Sequence, residues 1–134
     1  MSDGSPSEEF DWRDLHGLAG KLIEFDDEAA QRGAVSRDYY AVFNCAKEVL
    51  EELAPELAPT RGLDSHKAIW DGFRSHDRKQ AKTLARIGES LLEKRKKADY
   101  QIFVTSGWRD RAKQAHEEAA RGLRQIDELW KLLA

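Results

Sequence analysis

Two tyrosines stand side by side after an arginine and an aspartate, at positions 37 to 40 of the chain. An arginine offers a planar, forked set of donors that fits the oxygens of a phosphate, and a phenol hydroxyl adds another donor. If the helix that carries Arg37 and Tyr40 packs against the helix that carries Arg95, these side chains can converge on one phosphate. The alternative is structural, because aromatic rings pack well in cores and interfaces, and an arginine–aspartate pair at a helix start is commonly solvated. We expect Tyr39 in the core, and Arg37 and Tyr40 in contact with a ligand or a partner.

A second candidate segment is the basic run EKRKKADY, residues 93 to 100. Most basic runs are solvated faces, but this one belongs to a helix rich in lysine and arginine that ends in Tyr100, an aromatic residue able to stack on a base. Asp99 can instead form a salt bridge with Arg95 or Arg37, which would make the Ala-Asp-Tyr stretch a structural clasp. The cations of this predicted helix are Lys79, Lys82, Arg86, Lys94, Arg95, Lys96 and Lys97.

The four histidines do not have the spacing of a helical metal site, because no two of them are separated by four positions. His66 begins a predicted short helix, where an imidazole usually reaches only solvent or a carboxylate. We therefore expect no metal and no cofactor. The single cysteine, Cys45, lies among apolar residues, which is typical of inert packing and excludes an intrachain disulfide.

Apolar residues recur at helical spacing along most of the chain, and no alternating strand pattern is visible. This pattern predicts an all-α, up-and-down bundle of four long helices and one short helix. The first helix is expected to stop at Gly33 and the second to be capped by Ser36, with Asp38 pointing away from the buried face. The short helix spans His66 to Arg74, capped by Asp64 or Ser65. The predicted inner positions of the last helix are Trp108, Ala112, Ala115, Ala119, Gly122, Ile126, Leu129 and Leu133. We expect Arg95 on or near the inner face of the fourth helix.

The 134 residues fit one domain, which we place at residues 12–134 after a disordered tail at residues 1–11. The net charge of −3 gives no general attraction to nucleic acid, so a polyanion site must be a local patch. No apolar run is long enough to span a membrane, and the acidic N-terminus lacks the features of a signal peptide. These features predict a cytoplasmic protein that does not contact membranes.

Three segments, SRDYYAVFNCAKEVL, SHKAIWDGF and LLEKRKKADYQ, occur in this order along the chain. Together they resemble the small prokaryotic members of the HEPN family, and the resemblance extends from about residue 12 to residue 130. It implies a helical bundle that commonly forms homodimers and associates with RNA or nucleotides. It also implies a nucleotidyltransferase-type partner from the same toxin–antitoxin or defence gene pair. Many members of the family are metal-independent ribonucleases, in which an arginine is followed a few residues later by a histidine.

This chain departs from that ribonuclease pattern. The positions where the histidine is expected after Arg95 hold Asp99, Tyr100 and Gln101, and no histidine follows before His116. A histidine titrates near neutral pH and can move the protons of RNA cleavage, whereas a tyrosine or an arginine-paired aspartate is a poor base. The sequence therefore favours a protein that binds RNA or a nucleotide without cutting it. One alternative is a non-catalytic helical adaptor for another protein. Another is a ribonuclease that uses a displaced histidine, with His66 as the substitute.

Overall fold

Five α-helices make up most of the described structure, a computed structural model that covers residues 9–59, 66–102 and 106–134. No strand occurs within those ranges, which confirms the all-α class. The helices are α1 (Asp14–Ile23), α2 (Glu28–Leu53), α3 (His66–Arg74), α4 (Lys79–Tyr100) and α5 (Trp108–Leu133), with a 3₁₀ turn at Pro55–Leu57 after α2.

The long helix α2 is the centre of the fold, because it packs against each of the four other α-helices. One stripe of residues at helical spacing along α2 is buried, and no member of it from Val35 to Val49 is more than 1% exposed. A helix with neighbours on several sides must also bury residues outside a single stripe. This explains why Asp38, which we expected to point away from the buried face, is completely buried. The stripe residues with this burial are Val35, Tyr39, Val42, Ala46 and Val49.

The boundary between the first two helices differs from the prediction. The first helix ends at Ile23, residues 24–27 connect it to α2, and Gly33 lies inside α2. Asp27 provides the physical reason, since its backbone is extended and its carboxylate accepts a hydrogen bond from the N–H of Ala29. This is the usual role of an aspartate at a helix N-cap. Ser36 is therefore an interior residue and not a cap. As a result α1 has only 10 residues. With α3, which has 9 residues, it makes two short helices among the five.

Small residues allow α4 and α5 to approach their neighbours closely. Gly88 on α4 lies against the ring of Trp70, and Gly122 on α5 lies between Ile87 and Val42. The alanines of the predicted α5 stripe are completely buried. The inner face of α5 was predicted correctly, and it packs within its own chain.

Other predictions on helix ends and on the tail have mixed outcomes. The predicted bounds of the short helix, His66 to Arg74, agree with α3. Its proposed caps, Asp64 and Ser65, and most of the predicted tail lie outside the described residues. None of the helices in the described ranges has the length and apolar character that a membrane crossing requires.

Candidate functional site

The two adjacent tyrosines of α2 have different environments. Tyr39 is completely buried, as predicted, and its Oη accepts a hydrogen bond from Trp70 Nε1 at 3.2 Å. The same hydroxyl lies 2.6 Å from Nδ1 of His66. Burial raises the pKa of Tyr39 well above its ordinary value, so this phenol keeps its proton. Tyr40 is half-buried and follows Tyr39 at the flank of the buried stripe. Tyr39 thus fixes the position of the site, and Tyr40 lies where a ligand can reach it.

Arg95 on α4 lies beside both tyrosines. One of its terminal nitrogens, Nη1, donates to Tyr40 Oη at 3.2 Å and to Asp99 Oδ2 at 3.2 Å. Its side chain is only 11% exposed, which confirms the expected place near the inner face. Burial lowers the pKa of Arg95. A hydrogen bond with Tyr100 and the electrostatic interactions with Tyr40 and Asp99 raise the pKa, and together they outweigh the effect of burial. The net pKa lies above the ordinary value, so the guanidinium stays charged.

The Arg95 guanidinium is enclosed by aromatic rings. Its central carbon lies 5.7 Å from the ring centre of Tyr39, 5.5 Å from that of Tyr40 and 5.7 Å from that of Tyr100. These distances are in the range of cation–π attraction. Its Nε is buried and has no hydrogen-bond partner. A buried donor left without a partner is unfavourable, so this guanidinium has hydrogen-bonding capacity that the chain itself does not use.

The end of α4 is held in place from α2. Asp99 accepts a hydrogen bond from the hydroxyl of Ser36 at 3.4 Å in addition to its contact with Arg95. Arg32 donates to the carbonyl oxygens of Ala98 at 3.1 Å and Gln101 at 2.7 Å, groups that a helix C-terminus leaves free. The salt bridge between Asp99 and Arg95 that the sequence offered as a structural alternative is present. Tyr100, the next residue along, is 70% exposed and available for stacking.

His66 lies on the other side of the same tyrosines. Its ring stacks on Phe43 with centroids 4.3 Å apart and meets the ring of Tyr40 edge-on at 5.9 Å. Tyr40 thus contacts His66 through its ring and Arg95 through its hydroxyl. The structure brings together Tyr40, His66, Arg95, Asp99 and Tyr100, which we call the tyrosine–arginine cluster.

The remaining predicted site residues lie at or beyond the edge of this cluster. Arg37 is exposed one turn before Tyr40 on α2, and no hydrogen bond or ion pair joins it to another described residue. Lys94 forms a salt bridge with Glu118 of α5 at 2.7 Å. Lys94 and Lys97 line a cavity of about 280 Å³ between α4 and α5, together with Trp108 and Arg111. Among the described residues, Arg95 contacts Tyr40 but not Arg37, and the convergence of the two arginines on one phosphate stays a prediction.

A further polar cluster was not predicted. The carboxylate of Asp38 lies 2.7 Å from Nδ1 of His16 through Oδ1 and 2.9 Å from Nδ1 of His116 through Oδ2. The three residues come from α1, α2 and α5 and have no local spacing, so a search for paired histidines along one helix misses them. One signal was available: apart from its neighbour Arg37, Asp38 is the only charged residue between positions 34 and 46. Two imidazoles and a carboxylate are groups that can hold a metal.

Comparison of the chain with models of protein families, with curated proteins and with solved structures found no significant match.

Proposed function

We propose that this chain is a small HEPN-like helical bundle, with the up-and-down order of that family, that binds RNA or a nucleotide at the tyrosine–arginine cluster. The observation that carries the proposal is the environment of Arg95. Its charged guanidinium is held among three phenol rings, has a donor without a partner, and lies beside the exposed ring of Tyr100. A cation next to an exposed aromatic ring can hold a phosphate and stack on a base at the same time.

The cations around the cluster suit a polyanion. Arg37 is exposed one turn from Tyr40, and Lys96 and Lys97 are exposed beside Tyr100. The C-terminal end of a helix carries partial negative charge, which by itself repels a phosphate. Binding at the end of α4 must therefore depend on these side chains, and the affinity should fall as the salt concentration rises.

The test is the binding of a fluorescently labelled single-stranded RNA, followed by anisotropy at low salt. Tyr100→Ala removes an exposed ring and should weaken binding between about five- and a hundredfold, the range of one base–aromatic stack. Arg37→Gln should weaken binding through the loss of one phosphate contact. The matched control is Arg121→Gln, because Arg121 is an exposed arginine on α5, outside the cluster.

Charge reversal on α4 separates RNA binding from the adaptor alternative. Lys96→Glu and Lys97→Glu together should abolish RNA binding, but leave an adaptor's partner binding unchanged. Lys94 is better changed to glutamine, because a glutamate there would face Glu118. Wild-type protein that binds no RNA at low salt, or variants that all bind as well as Arg121→Gln, would contradict the proposal.

A metal-independent ribonuclease is a second candidate, and the position of His66 favours it. His66 and Arg95 contact the same tyrosine, so a proton carrier and a phosphate-binding cation are near each other despite their separation in sequence. We expect binding without cleavage, because His66 is engaged with the buried hydroxyl of Tyr39. Cleavage in the presence of a chelator that His66→Ala abolishes, while RNA binding remains, would establish the ribonuclease instead.

We also propose that the protein is cytoplasmic, forms a homodimer and acts beside a nucleotidyltransferase-type partner. The support for these three points is the resemblance of its segments to the HEPN family.

A further inference from the structure

Asp38 is the one charged residue in the described ranges that is completely buried. A buried carboxylate is unfavourable unless other groups compensate for its lost hydration. Its hydrogen-bond and ion-pair partners among the described residues are two imidazoles, with no lysine or arginine. The fold therefore places one enclosed carboxylate in contact with two nitrogen ligands.

The two imidazoles have a matched orientation. Their rings are stacked, with centroids 4.0 Å apart and an angle of 16° between the planes. Each ring directs Nδ1 towards a different oxygen of Asp38. Gly20 borders the pair, and a Cβ at that position would be in van der Waals contact with Nε2 of His116 at 3.4 Å. One candidate ligand atom from each residue lies within 4.8 Å of the other two.

We propose that His16, Asp38 and His116 bind one divalent metal ion such as Zn²⁺. Two imidazole nitrogens and one carboxylate are the donors that such ions prefer, with bonds of about 2.0–2.2 Å. Neighbouring ligand atoms in such a site lie roughly 3–3.5 Å apart. The two Nδ1 atoms now lie 2.7 and 2.9 Å from the Asp38 oxygens, so they must move slightly away from those oxygens to reach that spacing. The two stacked rings must also tilt apart until both nitrogens face one ion. The ion would replace the protons that Asp38 and the imidazoles now share.

The site is closed on one side and open on the other. Asp38 is inaccessible, whereas the side chains of His16 and His116 are 23% and 30% exposed. His116 also lines a cavity of about 290 Å³ that contains Glu24, Lys113 and Glu117. An ion can therefore enter from the imidazole side, and water from that side can complete its coordination. The cluster shares no residue with the tyrosine–arginine cluster, so this inference does not depend on RNA binding.

The test uses Zn²⁺ alone with protein that carries no affinity tag and has been treated with a chelator. Calorimetric titration should show one Zn²⁺ per chain. At a hundredfold excess of free Zn²⁺ over Kd, the melting temperature should rise by about 5–10 °C, because the ion joins three helices. Co²⁺ in place of Zn²⁺ should give the visible absorption of a nitrogen- and oxygen-coordinated ion.

Three variants assign the ligands. His16→Gln and His116→Gln should each weaken Zn²⁺ binding at least tenfold, and Asp38→Asn should abolish it. His76→Gln is the matched control and should bind as the wild type does, because His76 lies in the turn before α4. If Asp38→Asn does not fold, the variants of the two partly exposed histidines decide the question. Absence of stoichiometric Zn²⁺ binding to the wild type would overturn the proposal and leave a hydrogen-bonded clamp. Binding that neither histidine variant weakens would also overturn it.

Discussion

The hydroxyl of Tyr39 has a structural role that the hydroxyl of Tyr40 does not share. Removing it in Tyr39→Phe leaves the buried indole N–H of Trp70 without its acceptor. An unsatisfied buried donor costs about 1–3 kcal/mol, so the free energy of unfolding should fall by that amount in urea denaturation.

Tyr40→Phe is the matched control for that variant. Tyr40 as a whole is half-buried, and Arg95 keeps its contact with Asp99 when the hydroxyl is removed. The loss should stay below about 1 kcal/mol. Equal losses for the two variants would contradict the division between a structural and a ligand-accessible tyrosine.

Cys45 should be unreactive in the folded protein. Burial raises the pKa of its thiol from 9.0 to about 12, and the thiolate is the reactive species. At pH 8 a thiol reagent such as iodoacetamide should label the denatured chain quickly and the native chain much more slowly. Rapid labelling of the native chain would show that α2 opens readily.

The same shift has a defined effect on stability. The pKa of Cys45 is higher in the folded than in the unfolded state, so its contribution to stability is complete below pH 9. It is lost as the pH rises towards 12. Cys45→Ala should make the decline of stability across that window less steep.

At the scale of the helices, the close approach of α3 and α4 depends on one glycine. A Cβ at position 88 would lie 2.5 Å from three ring atoms of Trp70, which is completely buried and has no room to move. Overpacking of this kind typically costs about 1–3 kcal/mol, so Gly88→Ala should lower the free energy of unfolding by that amount.

Gly17→Ala is the control for Gly88→Ala, because position 17 has room for a methyl group. Nothing lies within 4 Å of a Cβ at position 17 of α1. Alanine there should stabilise the protein by about 0.5–1 kcal/mol through helix propensity. The two variants should therefore have opposite signs in thermal or urea denaturation. A stabilising Gly88→Ala would mean that α3 and α4 pack less closely than described.

The sequence was sufficient for the helices and for most buried faces, because apolar spacing reports directly which side of a helix is covered. It was insufficient for the start of α2, where the single N-cap Asp27 outweighs the helix-breaking tendency of Gly33. The sequence also did not predict the burial of Asp38, because helical spacing cannot reveal that α2 is covered on several sides. The contact between Arg95 and Tyr40 was predictable from their types and positions. The contacts of His16 with Asp38 and His116 depend on how three helices pack.

At the scale of the whole molecule, the predicted homodimer needs a surface other than the inner face of α5. The small-residue stripe on that face packs against α2 and α4 of its own chain. The exposed apolar residues offer other contacts and include Leu18 and Phe25 near α1 and Leu132 on α5. We still expect a dimer from the family resemblance.

Light scattering across a wide concentration range tests this prediction. A dimer has twice the 15.3 kDa mass of one chain. A constant mass of one chain would exclude it. If a dimer forms through the exposed apolar surface around Phe25, Phe25→Ser should shift the equilibrium towards the monomer. Phe10→Ser, near the N-terminus, is the control.

The central position of α2 also affects how the protein is made. During synthesis α2 leaves the ribosome before α4 and α5, and α5 is the helix against which it packs most extensively. The apolar faces of α2 that these two helices cover are therefore without their partners until α4 and α5 emerge. A nascent chain with such uncovered faces is a substrate for chaperones and is prone to aggregation. The fold can close only after α5 has emerged.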